Sequence, residues 1–154
     1  MIQEDSEILN HHDQQQDYRV LQLSAPAIGP LVRPGQFIEL LVPHLNDAVL
    51  RRPFSVYKAD KQSVTILYKV VGKGTAAMQG LAPGEKVDII GPLGNGFPDN
   101  QEELTPVLIG GGYGAAALYL QAQALSQKGV VFFGGRSGVD ILCVDEFEAL
   151  GWEV

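Results

Sequence analysis

Cysteine is almost absent: Cys143 is the only one in 154 residues. A single thiol excludes an internal disulfide framework. It also excludes a four-cysteine zinc or iron–sulfur site built from this chain alone. Basic residues are scarce as well. Eleven Lys+Arg stand against 18 Asp+Glu, a net charge of −7. That balance argues against a general nucleic-acid binder, whose affinity rests on Lys/Arg contacts to phosphates. The first 19 residues are acidic and polar and lack an apolar core, so no secretory signal is expected. Residues 104–127 lack charge altogether, which raises the question of a membrane span. Pro106, Gly110-Gly111-Gly112 and three glutamines argue against one. A soluble cytoplasmic protein is the default expectation. No internal repeat or low-complexity tract occurs, and no Ser–His–Asp order or paired-carboxylate motif stands out.

Hydrophobic residues reach 45%, enough for a packed core. Glycine is unevenly spread: only Gly29 and Gly35 precede residue 72, and the other 16 of 18 follow it. Basic residues also cluster. Arg51 to Lys86 holds seven of the 11, with only Asp60 and Glu85 as acids, a local balance of 7 − 2 = +5. Such a segment suits a phosphate-bearing ligand. A solvated strand face would give the same charge pattern.

The first part reads as β structure. Tyr18 to Leu23 alternates, and Pro34-Gly35 turns the chain into Gln36 to Val42. Pro53 to Tyr57 and Ser63 to Val71 read as strands joined by a turn at Ala59 to Gln62. Pro83-Gly84 precedes Glu85 to Ile90. Short strands at this spacing suggest a small sandwich or barrel. Thr75 to Leu81 reads as one short helix capped by Thr75.

The pattern changes after the Gly91 to Gly96 loop. Asp99 to Glu103 looks like a linker. Pro106 to Ile109 is a buried-type strand, Gly110 to Gly114 a tight loop, and Ala115 to Gln127 an uncharged helix. Val130 to Phe133 is the next strand, which completes a βαβ unit and implies a parallel sheet. Asp145 to Leu150 reads as a further short helix and Trp152 to Val154 as a strand beginning. The expected division is a β domain over 1–98 and the start of an α/β domain over 106–154. The second segment has 49 residues, whereas a doubly wound nucleotide domain needs on the order of 100 or more. Trp152 and Val154 are apolar groups with nothing obvious to pack against. The expectation is the front part of a longer protein.

Three segments have the residue types of a nucleotide site. In Arg52-Pro53-Phe54-Ser55, the planar arginine fork suits a pyrophosphate, and proline fixes the backbone. The ring of Phe54 suits a flat heterocycle, and a serine hydroxyl both donates and accepts. In Tyr68-Lys69-Val70-Val71-Gly72-Lys73-Gly74-Thr75, a Gly-x-Gly loop opens a helix whose free amides would face phosphate oxygens. An ordinary capped helix after a turn would read the same. Gly110-x-Gly112-x-x-Ala115 follows a strand and opens a helix, as a dinucleotide fingerprint does. The acid expected about 20 residues on is missing, and Gly134-Gly135-Arg136-Ser137 stands there instead. A glycine turn serving only helix packing is the alternative. His11-His12 lie in a polar stretch and read as solvated, His44 is isolated in a loop, and Cys143 reads as a buried small hydrophobe.

The order of these segments resembles the ferredoxin–NADP reductase superfamily. The resemblance rests on Pro34-Gly35-Gln36-Phe37, Arg52-Pro53-Phe54-Ser55, Gly72-Lys73-Gly74-Thr75, Gly91-Pro92-Leu93-Gly94-Asn95-Gly96-Phe97 and Gly110-Gly111-Gly112-Tyr113-Gly114. It covers the chain from Tyr18 onward. Within the superfamily, Gly72 to Thr75 and Gly91 to Phe97 are most similar to the electron-transfer subunits of class B dihydroorotate dehydrogenases. The resemblance implies a six-stranded antiparallel FAD-binding barrel followed by a parallel-sheet NAD(P)-binding domain. It implies that Arg52 holds the FAD pyrophosphate, with Pro53 and Phe54 beside it, and that Ser55 approaches the flavin ring. Phe54 stands where many members place a tyrosine, so a phenol contact is lost. Tyr68, Lys69 and Val70 would line the flavin and ribityl chain, and Gly74 and Thr75 would hold the pyrophosphate. Gly110, Gly111, Gly112 and Gly114 would receive NAD(P)H, and Arg136 would meet a 2′-phosphate.

The resemblance further implies electron flow from NAD(P)H through FAD and a [2Fe–2S] cluster to an FMN-containing catalytic dihydroorotate dehydrogenase subunit. The cluster's cysteines would lie beyond residue 154, because Cys143 does not match that motif. Two rivals remain open. One is another flavin reductase subunit, of sulfide dehydrogenase or transhydrogenase type. The other is a non-catalytic flavin-binding or assembly module.

Overall fold

A computed structural model describes residues 1–43, 45, 50–98 and 104–154. The expected linker at 99–103 and the isolated His44 lie outside the described residues. Six antiparallel strands close into a barrel: β1 (Ile2–Gln15), β2 (Tyr18–Ser24), β3 (Phe37–Leu41), β4 (Arg52–Ala59), β5 (Ser63–Lys69) and β6 (Lys86–Leu93). Their order around the barrel is β1-β2-β5-β4-β3-β6. One short helix, α1 (Lys73–Met78), follows β5. Beyond the barrel come β7 (Val107–Gly111), α2 (Ala115–Ala124), β8 (Val130–Gly134) and α3 (Val144–Ala149). β7 and β8 pair in parallel, from Val107↔Val130 to Gly111↔Gly134, as the βαβ pattern requires.

The N-terminal strand is the element that closes the barrel. Its first half pairs with β6, from Ile2↔Gly91 to Glu7↔Lys86. Its second half pairs with β2, from Ile8↔Leu23 to Gln15↔Tyr18, with register shifts after Ile8 and Asp13. The switch of partner lets one 14-residue strand serve both edges. Polar composition hides it, because Gln, Asp, Asn and His have low strand preference and only Ser6 and Ile8 are buried.

The barrel core is built from inward side chains at period two: Leu21 and Leu23, Ile38 and Leu40, Val64 and Ile66, Val87 and Ile89. β5 is buried on both faces from Ser63 to Tyr68. One face joins this core. The other carries Leu67 into a second cluster with Tyr18, Val20, Tyr57, Ala115, Ala116 and Val131. The α/β unit therefore packs on the outside of β2, β5 and β4. That double burial explains the near-continuous apolar run Val64 to Tyr68.

Three expectations about local structure are corrected. The helix after β5 runs Lys73–Met78, with Gly72 as its N-cap. Thr75 sits three residues into that sequence and its hydroxyl accepts from the amides of Val71 (2.9 Å) and Gly72 (3.2 Å). From this third helical position it takes the amide of the N-cap and closes the preceding turn, while the N-cap itself is Gly72. α2 ends at Ala124 rather than Gln127, because the ammonium of Lys128 takes the carbonyls of Ala122 (2.8 Å) and Leu125 (2.6 Å). Trp152 does have packing partners. It is 3% exposed within the second core, and its indole donates to the Ala122 carbonyl at 3.1 Å. Glu153 forms a single parallel bridge with Val130.

Candidate functional site

β4 begins at Arg52, opposite Leu40 of β3. The two neighbouring arginines diverge. Arg51 reaches β6, bonding the Asp88 carboxylate at 2.8 Å and its carbonyl at 3.1 Å, and this bond holds the Asp88 carboxyl below its usual range. Arg52 instead lies against the first turn of α1, with one guanidinium nitrogen on the Leu50 carbonyl. A Cβ added at Gly74 would stand 2.8 Å from Arg52 Nε and 3.3 Å from Cζ. Only glycine lets the guanidinium lie there undisturbed. Because Gly72 has no side chain, no side-chain cap covers the opening amides of α1. An arginine fork beside uncapped helix amides is a donor set suited to a pyrophosphate. The residues present therefore fit that part of a dinucleotide.

Ser55 is exposed on β4 opposite Phe37, and Pro53 is exposed opposite Glu39. Phe54 is half-buried and meets Tyr68 edge-to-face at 5.8 Å between ring centroids. Tyr68 is 2% exposed, and burial pushes its phenol up to about 12. Its hydroxyl lies 3.0 Å from His11 Nε2, and His11 Nδ1 lies 2.8 Å from the Leu81 carbonyl. A carbonyl only accepts, so Nδ1 carries the proton and donates to Leu81. With a neutral ring, the Tyr68 hydroxyl donates to Nε2. This corrects the expectation that His11 is solvated: pairing opposite Leu21 sets it over Tyr68. His12 is exposed. Val70 is half-buried and its amide donates to the Asp17 carbonyl at 2.9 Å.

Lys69 is committed elsewhere. Its ammonium bonds Asp140 Oδ1 at 2.7 Å and the Tyr18 hydroxyl at 3.2 Å, and it lies over the Tyr18 ring. The Lys69 ammonium holds the Asp140 carboxyl down to about 2, with the Tyr18 hydroxyl helping, and Asp140 in turn raises Lys69.

The second glycine group lies at the carboxyl ends of β7 and β8, where open α/β sheets receive ligands. Gly111 and Gly134 face each other at the last register pair. Gly110 serves packing, since a Cβ there would meet Leu118 at 3.0 Å and the Ala115 backbone at 3.3 Å. Gly112 adopts φ +52 beside the Tyr18 hydroxyl. Added Cβ atoms at Gly114 and Gly134 would meet nothing within 4 Å, so both border open space. Arg136 is exposed in the loop after β8. Cys143 is buried, and burial pushes its thiol up to about 11, away from nucleophilic use.

Asp140, Tyr18 and His11 were not legible as site neighbours. Each acts through a contact far apart in sequence, and no local motif marks it. An open groove of about 330 Å³ lies apart from these groups, between Pro30, Val32, the Asp60-Lys61 turn and the end of α2.

No family model matches the chain. Curated relatives do. The dihydroorotate dehydrogenase B (NAD(+)) electron transfer subunit of Bacillus pumilus is 38% identical over 124 residues, spanning 76% of this chain and 48% of that protein. The subunit of the same name from Bacillus caldolyticus is 38% identical over 141 residues, spanning 85% and 54%. The chain thus covers about half the length of these relatives. A solved NADH-dependent reduced ferredoxin-NADP oxidoreductase, from work on flavin-based electron bifurcation, superposes with a TM-score of 0.84 at 28% identity. That match covers 96% of this chain and 54% of that one. Phthalate dioxygenase reductase shares the fold, with a TM-score of 0.78 at 18% identity over 97% of this chain and 49% of that one. On sequence and architecture together, the chain belongs to the ferredoxin–NADP reductase superfamily and is a relative of the dihydroorotate dehydrogenase B electron transfer subunits.

Proposed function

We propose that the chain is the FAD-binding portion of an electron-transfer subunit. In this reading it carries reducing equivalents from NAD(P)H to a catalytic dihydroorotate dehydrogenase partner in the cytoplasm. The observation that carries the reading is the seating of Arg52 on Gly74. It joins the two sequence segments expected to hold a pyrophosphate, and either segment alone would be commonplace.

Bound FAD would supply the exchange between two-electron and one-electron chemistry, which no side chain here offers. The chain's residues bind and orient. Arg52 and the first turn of α1 would neutralise the pyrophosphate. Ser55 would offer one hydroxyl to the flavin edge, as donor or acceptor. The edge-to-face pair of Phe54 and Tyr68, pinned by His11, gives the barrel a fixed wall beside that serine. The open ends of β7 and β8 would admit the pyridine nucleotide, with Arg136 within their loops. The division at residues 99–105, with a flavin domain before and a nucleotide unit after, belongs to the same proposal. So does a [2Fe–2S] cluster outside these residues, relaying electrons to an FMN-containing partner in a hetero-oligomer.

The test is anaerobic mixing of the FAD-loaded full-length protein with NADH and, separately, NADPH. Bleaching of the flavin absorbance by at least one donor is expected. Stable FAD binding with no bleaching by either would leave a non-catalytic flavin module in its place.

A further inference from the structure

Three barrel residues converge on one turn of the α/β unit, the single-turn segment Gly138–Asp140 after β8. Gln15 at the end of β1 donates to the carbonyls of Val139 (2.5 Å) and Ile141 (3.3 Å). The Tyr18 hydroxyl donates to Asp140 Oδ1 at 2.5 Å, and Lys69 donates to the same oxygen at 2.7 Å. On its other side, Asp140 Oδ2 accepts from Ser137 Oγ at 3.3 Å. The carboxylate is therefore shared between the barrel and the loop 134–137. Its side chain is 10% exposed, against 27% for Lys69. Lys69 directly precedes Val70 and the turn into α1. Tyr18 also stands beside Gly112, 3.5 Å from the place of its missing Cβ. One carboxylate thus ties the ends of β2 and β5 to the loop at 134–137, and the Tyr18 that it holds borders the loop at Gly112.

A surface ion pair would add little here. This pair is mostly buried, and both bonds to Asp140 Oδ1 cross between two structural units, so removing the charge should alter how the units sit. The turn needs no such tie to form. Its own hydrogen bonds, Asp140 amide to the Ser137 carbonyl at 3.0 Å and Ile141 amide to the Gly138 carbonyl at 3.2 Å, already close it.

We propose that Asp140 is a positioning residue for the pyridine nucleotide, fixing the loops at 112–114 and 134–137 against the barrel through Tyr18, Lys69 and Ser137. The inference rests on the functional reading above. The predicted signature is a split between the two ligands: FAD binding does not depend on Asp140, whereas nucleotide binding does.

The experiment compares the full-length protein with Asp140→Asn, a near-isosteric change, and with Tyr18→Phe, which removes one of the two barrel bonds to Oδ1. FAD is titrated by flavin fluorescence. KM and kcat for NADH and NADPH are measured with ferricyanide as acceptor. Amide hydrogen exchange is followed over 112–114 and 134–141. For Asp140→Asn, FAD affinity within twofold of the parent is expected. KM should rise roughly tenfold or more, as for a lost charged hydrogen bond, while kcat changes less. Tyr18→Phe should lie between. Unchanged KM for both donors would overturn the proposal, as would FAD affinity falling in step with KM. If the parent binds no FAD or reduces no ferricyanide, the functional reading fails, and hydrogen exchange still decides the tie. Faster exchange confined to 112–114 and 134–141 in Asp140→Asn would support it, and unchanged exchange there would overturn it.

Discussion

Gly74 and Arg52 make the sharpest case at the scale of single residues. Alanine inside a helix is ordinarily better than glycine by up to about 1 kcal/mol. At position 74, however, its Cβ would press on the Arg52 guanidinium at 2.8 Å. Arginine is flexible and would yield, so the fold should survive. Gly74→Ala is therefore expected to leave the melting temperature equal or higher while weakening FAD binding roughly tenfold or more, on the scale of a charged hydrogen bond. Calorimetry and flavin titration of one preparation check both halves. A loss of stability with FAD affinity intact would show that position 74 is glycine for packing and not for the ligand. Both residues were visible in the sequence as members of glycine- and arginine-bearing segments. Their contact was not, because 22 positions and a strand reversal separate them.

At the scale of elements, the seam between barrel and α/β unit is set by charge. The groups facing Asp140 are Lys69 and the hydroxyls of Tyr18 and Ser137. Its carboxyl titrates near 2 in the folded protein, below its ordinary value of 3.8. A depressed carboxyl stabilises the fold above the unfolded value and loses that contribution as pH falls toward the folded one. Lys69 is shifted upward by the same pair, so its contribution is complete below its ordinary value of 10.5 and fades only above it. The tie is thus fully present from about pH 5 to pH 9 and weakens below about pH 4. In thermal melts across pH 2–7, the parent should lose more stability between pH 4 and 2 than Asp140→Asn does. Parallel curves would contradict the ionised pair.

The elements also show what a sequence reveals. β2 to β6 were legible because alternation and Pro-Gly turns are local signals. So was the βαβ order. β1 was not, because its strand state is imposed by two partners from distant parts of the chain. The length of α2 was misjudged because Lys128, outside any helical pattern, supplies the stop. Trp152 looked unpartnered because its partner, the Ala122 carbonyl, lies 30 residues back.

Across the whole molecule, the barrel is closed and the α/β unit covers the outer face of β2, β5 and β4, but the small parallel sheet is not covered on both sides. Val107, Ile109 and Phe132 are 55%, 75% and 58% exposed on its open face. Parallel sheets are normally buried on both faces, and adjoining exposed apolar groups mark contact surfaces or association. A protein of these 154 residues should bind a hydrophobic dye such as ANS and self-associate with rising concentration. Ile109→Lys with Phe132→Lys should reduce both, as read by fluorescence and sedimentation. No helix among the described residues is long and apolar enough to cross a membrane, so this face is the apolar surface to test.

The central claim is that Arg52 and the turn at Gly74 hold FAD. The most direct measurement is titration of the protein with FAD, followed by flavin fluorescence, alongside Arg52→Ala. The account predicts saturable one-to-one binding by the parent, weakened in the variant by roughly 1.5–3 kcal/mol, with circular dichroism unchanged. A folded parent with no FAD affinity, or an Arg52→Ala protein that binds as tightly as the parent, would contradict it.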